Sequence, residues 1–171
     1  MNKNMKKIIL HWTAGNHTPN KIDLEHYHFL IDGNGKCHTG KFKPKDNLNC
    51  YDGKYAQHTG GGNTNSIGIA MCGMMDYLSP QKIGSYPISK NQFEAFCKKI
   101  AEIAHQYKIP ILKNTIMTHY EFGLNYPKST SYGKIDITFL PPYPDVSACD
   151  IGDFIRTKIK WYFTKLYPNE P

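Results

Sequence analysis

The chain reads KIILHW at Lys7–Trp12, a short apolar run that is followed by polar loop residues. Continuous apolar segments of this length, bounded by turn residues, are typical of strands that are buried on both faces of a sheet. We therefore predict a buried first strand that carries His11 close to its end. An imidazole at this position either satisfies its polar atoms by hydrogen bonds or points into a cleft at the edge of the sheet.

Two further segments have the same character. Ser66–Met71 is a short apolar run, SIGIAM, in which Gly68 indicates a close approach of another part of the chain to the backbone. Thr115–Thr118 is a second such run and leads directly to His119. We expect both segments to be strands of the same sheet.

The remaining elements are a hairpin and two helices. Tyr27–Ile31 is strand-like, and the turn residues DGNG that follow it predict a hairpin with the next strand at residues 36–40. Ser89 and a glutamine three residues later have the form of a capping box, and apolar residues at helical spacing predict a helix to about Tyr107. A last amphipathic helix is predicted to begin near Gly152.

Strands interspersed with helices indicate an α/β fold with a central mixed β-sheet flanked by helices. A chain of 171 residues is long enough to bury a core, and no linker or internal repeat interrupts it. We therefore expect one compact domain over residues 1–171. No apolar run approaches the ~20 residues of a transmembrane helix. The apolar run after the basic N-terminus is too short for a signal peptide, so no signal peptide is predicted.

The net charge and the distribution of basic residues indicate which classes of partner the chain binds. The formal net charge of +7 favours an anionic surface such as a cell wall. Specific nucleic-acid recognition is disfavoured, because the lysines are dispersed and Arg156 is the one arginine.

An odd number of irregularly spaced cysteines indicates reduced thiols in a cytoplasm, and each is predicted to be a small buried side chain. They are Cys37, Cys50, Cys72, Cys97 and Cys149.

Three side chains are candidates for a metal centre. His11 and His119 each end a predicted strand, and Asp136 lies in the segment GKIDI at residues 133–137. Two imidazoles and one carboxylate form a catalytic zinc set that leaves the fourth position for water. Lys134 lies on the same side as Asp136 if that segment is extended, where it can stabilise an oxyanion. The alternative is an ordinary surface strand at Lys134 and Asp136.

Several segments, in this order, resemble the N-acetylmuramoyl-L-alanine amidase family that includes phage lysozymes and peptidoglycan-recognition proteins. The first, ILHWTA, is similar to the family's opening zinc strand, and YHFLI to its Tyr-His-Phe strand. The others are similar to its His-then-Asn-Ser-Ile-Gly element, its second zinc histidine and its Lys-x-Cys/Asp element. The matching segments are residues 8–14, 27–31, 58–69, 117–121 and 134–136.

The resemblance implies roles for individual residues. It makes His11, His119 and Asp136 the ligands of Zn²⁺. Tyr27 matches a tyrosine that helps to activate water or to stabilise the intermediate. Lys134 matches the lysine that holds the developing oxyanion.

The resemblance also bears on the substrate cleft. It places His58 in the cleft wall, the alternative being a loop histidine bonded to the backbone. Trp12 is expected to stack against a sugar ring or to line a peptide groove. Asn65, within a matched segment, is expected to bind substrate.

Two departures from the family pattern affect the site. The loop at residues 122–132 is predicted to be an insertion beside the cleft. Cys149 is a rival third ligand, because cysteine takes that place in some branches. Asp136 is preferred, since Lys134 precedes it by two positions whereas Ser147 precedes Cys149. Glu121 is expected to face the same side as His119 if the strand continues; it is a structural residue or a partner of a ligand, the alternative being an acid/base group.

By this resemblance the chain hydrolyses the amide bond between N-acetylmuramic acid and L-alanine of peptidoglycan. The implied setting is a phage or prophage endolysin, cytoplasmic on synthesis and acting on the cell wall after release. The alternatives are a non-catalytic peptidoglycan receptor of the same fold, a cytoplasmic amidase that recycles wall fragments, and a regulator that binds another protein.

Overall fold

A computed structural model describes residues 4–169. The extreme ends of the predicted domain, and part of the basic N-terminus considered for an export signal, lie outside the described residues. The strands are β1 (Lys7–Trp12), β2 (Phe29–Ile31), β3 (Cys37–Thr39), β4 (Ser66–Met71) and β5 (Ile116–Thr118). The α-helices are α1 (Lys21–His26), α2 (Lys90–Tyr107), α3 (His119–Asn125) and α4 (Ile151–Leu166), and a 3-10 helix spans Pro44–Leu48.

The five strands form one mixed sheet in the order β3-β2-β4-β1-β5, as predicted. β1 is parallel to both neighbours, with His11 opposite Ala70 of β4 and Ile8 opposite Ile116 of β5. β2 is parallel to β4, and the predicted hairpin supplies the antiparallel pair β2–β3. Because β1 and β5 are parallel neighbours, their carboxyl ends meet at the same edge of the sheet.

Side chains of β1 alternate between the two faces of the sheet. Ile8, Leu10 and Trp12 belong to the main core with buried residues of α2 and α4. Ile9 packs on the other face, against Met117 and Phe122. His11 therefore shares a face with Ile9, on the side of the sheet that α3 covers. None of the helices in the described part of the chain has the length and hydropathy to cross a bilayer.

The predicted cap of α2 forms only in part. The Ser89 hydroxyl accepts a hydrogen bond from the Gln92 amide N–H at 3.1 Å. The Gln92 side chain does not return to Ser89 but donates to the carbonyls of Ile31 and Cys72, at 2.9 and 2.7 Å. The glutamine thus ties α2 to the ends of β2 and β4, where two carbonyls need donors.

The five cysteines are unpaired, as expected for reduced thiols. Cys72 and Cys97 are buried, but Cys37 and Cys149 are exposed. The prediction of burial is therefore wrong for the last two, which lie on an edge strand and in a turn.

Glu121 does not lie on an extended strand, because α3 begins at His119. Its carboxylate accepts from the Thr118 backbone N–H at 3.0 Å and closes a capping box. It also receives two hydrogen bonds from the Arg156 guanidinium, at 2.9 and 2.8 Å. Glu121 is therefore a structural residue that joins α3 to α4, and the expected acid/base role is not supported.

Arg156→Met is expected to lower the free energy of unfolding by about 3 kcal/mol, because it leaves the largely buried Glu121 carboxylate without its cation. The Arg156 side chain, 5% exposed, also donates to the Ile116 carbonyl at 2.8 Å. Urea unfolding of this variant and of Lys160→Met, an exposed position of the same helix, measures the difference. Equal stability of the two variants would contradict a structural role for the ion pair.

Candidate functional site

A cavity of about 490 Å³ opens at the carboxyl ends of β1 and β5. Most of the residues singled out from the sequence line it, namely Trp12, Tyr27, His58, His119, Lys134 and Asp136. His11 is completely buried. It contacts Asp136, which lines the cavity. Residues more than a hundred positions apart are thus brought together by the parallel pairing of two strands.

His11, His119 and Asp136 form a compact cluster. Asp136 Oδ2 lies 2.8 Å from His11 Nδ1 and 3.0 Å from His119 Nδ1. One ligand atom from each of the three residues lies within 4.8 Å of the others, and all three residues are buried. His11 comes from the end of β1, His119 from the first turn of α3, and Asp136 from a turn.

His11 and Asp136 are held in the protonation states that bind metal. Burial lowers the pKa of His11 from 6.5 to about 4, so its imidazole is neutral at pH 7. Burial by itself raises the pKa of Asp136, but hydrogen bonds with His11 and His119 outweigh it and hold that pKa well below its usual range. Neutral imidazole and ionised carboxylate are the ligand forms. Two nitrogens and one oxygen at this spacing fit Zn²⁺ with a position left for water.

Tyr27 and Lys134 flank the cluster. The Tyr27 ring centroid is 5.1 Å from that of His11, and burial raises the pKa of the phenol, which is therefore protonated at pH 7. Lys134 is exposed and lies in a loop, not on the extended strand that was expected. It lines the same cavity as Asp136 nonetheless. Its charge adds to the effect of burial in lowering the pKa of His11.

His58 lines the cavity but is almost completely buried. Its Nδ1 lies 2.7 Å from the hydroxyl of Thr59. Its ring packs against Gly68, where a Cβ would lie 2.4 Å from His58 Cγ. The close approach predicted from the glycine in β4 is therefore present, and it is made by His58.

Trp12 and Asn65 were also predicted to contact substrate. Trp12 is 4% exposed and packs edge-on against Tyr77, so little of its ring is free for a sugar. Asn65 does not line the cavity. It precedes β4, at the opposite edge of the sheet, and its carbonyl accepts from the Lys6 backbone N–H at 2.8 Å. The Asn65 carbonyl thus binds the backbone just before β1, and the residue lies away from the cavity that contains the cluster.

The rival ligand Cys149 is exposed and stands apart from the cluster. It lies in a separate depression beside Tyr120 and Glu121. The loop at residues 122–132 begins as the rest of α3, and its far end reaches the cavity through Thr130.

Sequence reasoning missed two hydroxyl residues that contact the cluster, Thr59 and Ser131, and a buried histidine beside His58, which is His28. His28 lies in the segment YHFLI, which resembles the Tyr-His-Phe strand of the family. Thr59 Oγ1 lies 3.3 Å from His11 Nε2, and Ser131 Oγ lies 2.9 Å from His119 Nε2. A hydroxyl in a loop carries no periodic signal, so only the folded structure identifies these contacts.

His28 makes the stability of the metal-free protein dependent on pH. Its buried Nδ1 accepts from the Gly68 N–H and its Nε2 faces Asn47 Oδ1, and burial lowers its pKa from 6.5 to about 4. The unfolded chain takes up this proton near pH 6.5 and the folded chain only near pH 4. We therefore expect the free energy of unfolding to fall as pH drops through this window, by up to roughly 3 kcal/mol from His28.

Urea unfolding between pH 7 and pH 4.5 measures this dependence. His28→Gln is expected to reduce it without abolishing it, because burial also lowers the pKa of His11 and of His58. His26→Gln, at an exposed position, is the control and should keep the wild-type dependence. Equal slopes in the wild type and His28→Gln would show that His28 is not the titrating group.

A model of the N-acetylmuramoyl-L-alanine amidase family matches residues 1–134. The chain belongs to this family. The match contains His11, His119 and Lys134 and ends two residues before Asp136. For this amidase-family chain, the candidacy of Asp136 as third ligand therefore rests on the geometry of the cluster. Comparison with curated proteins gives no significant match.

Solved structures are similar to this amidase-family chain, and those of AmiA and PlyL share its fold. The hydrolase AmiA of Staphylococcus aureus, in complex with its ligand, has a TM-score of 0.59 at 12% identity, over 97% of this chain and 76% of that chain. A mutant of PlyL has a TM-score of 0.52 at 18% identity, over 92% of this chain and 85% of that chain. Drosophila peptidoglycan recognition protein SD has a TM-score of 0.47 at 18% identity, over 74% of each chain.

Proposed function

We propose that the chain is a zinc-dependent amidase that hydrolyses the bond between N-acetylmuramic acid and L-alanine of peptidoglycan. The observation that carries this proposal is the convergence of His11, His119 and Asp136 at a cavity. The family match supports an amidase or a peptidoglycan-binding protein. A complete ligand set favours the amidase, because binding alone requires no buried metal ligands.

His11, His119 and Asp136 would hold the zinc ion. Zinc bound there supplies a water molecule of lowered pKa and polarises a carbonyl group. The Lys134 ammonium can stabilise the negative charge that develops on the lactyl carbonyl oxygen during attack. The Tyr27 phenol, protonated at neutral pH, can donate a hydrogen bond to the same developing charge. Cleavage of the C–N bond then releases the L-alanine amine, which takes up a proton from the attacking water, and leaves the lactyl group as a carboxylate.

Metal analysis of the purified protein tests the proposal, together with an assay for new L-alanine amino groups on isolated peptidoglycan. One zinc per chain and release of these amines are expected. A protein that binds peptidoglycan but releases no amine, even with added zinc, would be a receptor and would overturn the proposal.

We also propose an endolysin setting, in which the enzyme is made in the cytoplasm and reaches the wall after release. The charge of +7 would then attract it to the anionic wall. Expression in bacteria, with and without permeabilisation of the inner membrane, tests this. Lysis confined to permeabilised cells is expected, whereas an enzyme that recycles fragments would cleave small muropeptides and spare intact walls.

The organisation of residues 1–171 as one domain stays a prediction, which limited proteolysis can test.

A further inference from the structure

Ser131 is a buried polar residue that directly contacts a predicted zinc ligand. Its side chain has no exposed surface. Its hydroxyl oxygen lies 2.9 Å from His119 Nε2 and 2.8 Å from the carbonyl oxygen of Gly60. Both partners are within hydrogen-bond distance, so the hydroxyl is shared between a histidine and a backbone acceptor.

The direction of both hydrogen bonds follows from the number of hydrogens. A carbonyl oxygen only accepts, so Ser131 must use its single hydrogen to donate to Gly60. The serine can then only accept from His119, and His119 Nε2 must carry the hydrogen. A neutral imidazole with its hydrogen on Nε2 has its lone pair on Nδ1.

That lone pair points to the centre of the cluster. His119 Nδ1 lies 3.0 Å from Asp136 Oδ2, and His11 Nδ1 lies 2.8 Å from the same oxygen. Two atoms that both carry lone pairs do not bond to each other directly, so a proton or a metal ion must lie between them. The contact with Ser131 therefore selects the tautomer that can bind a metal through Nδ1.

The position of Ser131 is fixed by close packing with α3. A Cβ on Gly123 would lie 2.3 Å from the Ser131 carbonyl oxygen, so the absence of a side chain at Gly123 permits the contact. The Ser131 carbonyl also accepts from the Lys134 backbone N–H at 3.2 Å. Ser131 thus stands at the start of the turn that carries Lys134 and Asp136.

We propose that Ser131 is a positioning residue that holds His119 in its Nε2–H tautomer and orients Nδ1 toward zinc. This inference rests on the proposed function, because it assumes that the cluster binds zinc. Groups that orient a metal-bound histidine typically contribute about 10–100-fold to metal affinity. We expect an effect of that size from the Ser131 hydroxyl.

Thr59 occupies the corresponding place beside His11 but does not fix its tautomer. Its hydroxyl lies 3.3 Å from His11 Nε2 and 2.7 Å from His58 Nδ1. Either histidine can donate to it, because neither partner is limited to accepting. The serine, with a carbonyl as its second partner, is therefore the stronger determinant of ligand geometry.

Ser131→Ala is expected to weaken zinc binding by about 10–100-fold, measured by competition with a chelator. Ser129→Ala is the matched control, since Ser129 lies in the same loop and donates to the Tyr126 carbonyl at 2.7 Å. The control should bind zinc as tightly as the wild type. Unfolding of both variants without metal shows whether the fold is retained.

Histidine side-chain nitrogen NMR of the zinc-loaded wild type tests the inference without any mutation. His119 is expected to show a protonated, slowly exchanging Nε2 and a metal-bound Nδ1. Zinc bound through His119 Nε2, or wild-type zinc affinity in Ser131→Ala, would overturn the inference while leaving the amidase proposal intact. A wild type that takes up no zinc would refute the proposed zinc site instead. The exchange rate of the His119 Nε2–H in Ser131→Ala would then still decide whether the serine holds the ring.

Discussion

Asp136→Ala is expected to abolish zinc retention and to lower the rate of peptidoglycan hydrolysis more than about a thousandfold. The carboxylate is the anionic member of the cluster, and both imidazoles converge on its Oδ2 at 2.8 and 3.0 Å. Without it, two neutral nitrogens remain, too few for a stable catalytic zinc site. Loss of metal removes several kcal/mol of transition-state stabilisation, which corresponds to a rate factor of this order. Metal content and amine release are measured on the same samples.

Cys149→Ala is the decisive comparison, because Cys149 is the other candidate for the third ligand. Its thiol is exposed and lies outside the cluster, so metal content and activity should equal those of the wild type. Loss of zinc in the Cys149 variant, with zinc retained in Asp136→Ala, would move the third ligand to the cysteine. Circular dichroism of both variants excludes unfolding as the cause of any loss.

The main elements of the fold could be predicted because their patterns are periodic and long. β1, β4, the β2–β3 hairpin, α2 and α4 all occur where apolar periodicity and turn residues placed them. The short helix α1 was missed, because six residues carry too little periodicity. Its capping box uses Asn20 and Asp23 in place of the serine or threonine and glutamate of the usual signature.

The start of α3 shows a second limit of sequence reasoning. Thr118 ends β5 and also caps the helix that follows, with its side chain accepting from the Glu121 N–H at 3.1 Å. The apolar pattern of a strand gives no sign of this change within one residue. Glu121 was therefore expected beside His119, whereas the helical turn directs it to Arg156.

The side chains that form the cluster could be predicted from the sequence, whereas the residues that surround them could not. His11 and His119 follow apolar strands, and the resemblance to a family pointed to Asp136, Lys134 and Tyr27. Ser131, Thr59 and His28 depend on how loops fold over the sheet, which composition and periodicity do not encode. Asn65 lies in a matched segment but does not line the cavity, and its contact with substrate stays a prediction.

Lys134→Ala is expected to lower kcat about 10²–10³-fold while zinc remains bound at one ion per chain. Lys134 lines the cavity but is not a member of the ligand cluster, so its removal leaves the metal ligands in place. Removal of one group that stabilises a developing oxyanion typically costs about this factor. Because that charge exists only in the transition state, KM should change little.

Lys128→Ala separates this effect from a general loss of positive charge. Lys128 is exposed, does not line the cavity and lies in the neighbouring loop, so the two variants have equal net charge. Lys128→Ala should retain wild-type kcat. If both variants lost activity equally, and added salt reduced the wild type to the same level, the lysines would act by attracting the anionic wall. A selective loss of kcat in Lys134→Ala, with zinc retained, would instead assign to this side chain the stabilisation of charge at the scissile carbonyl.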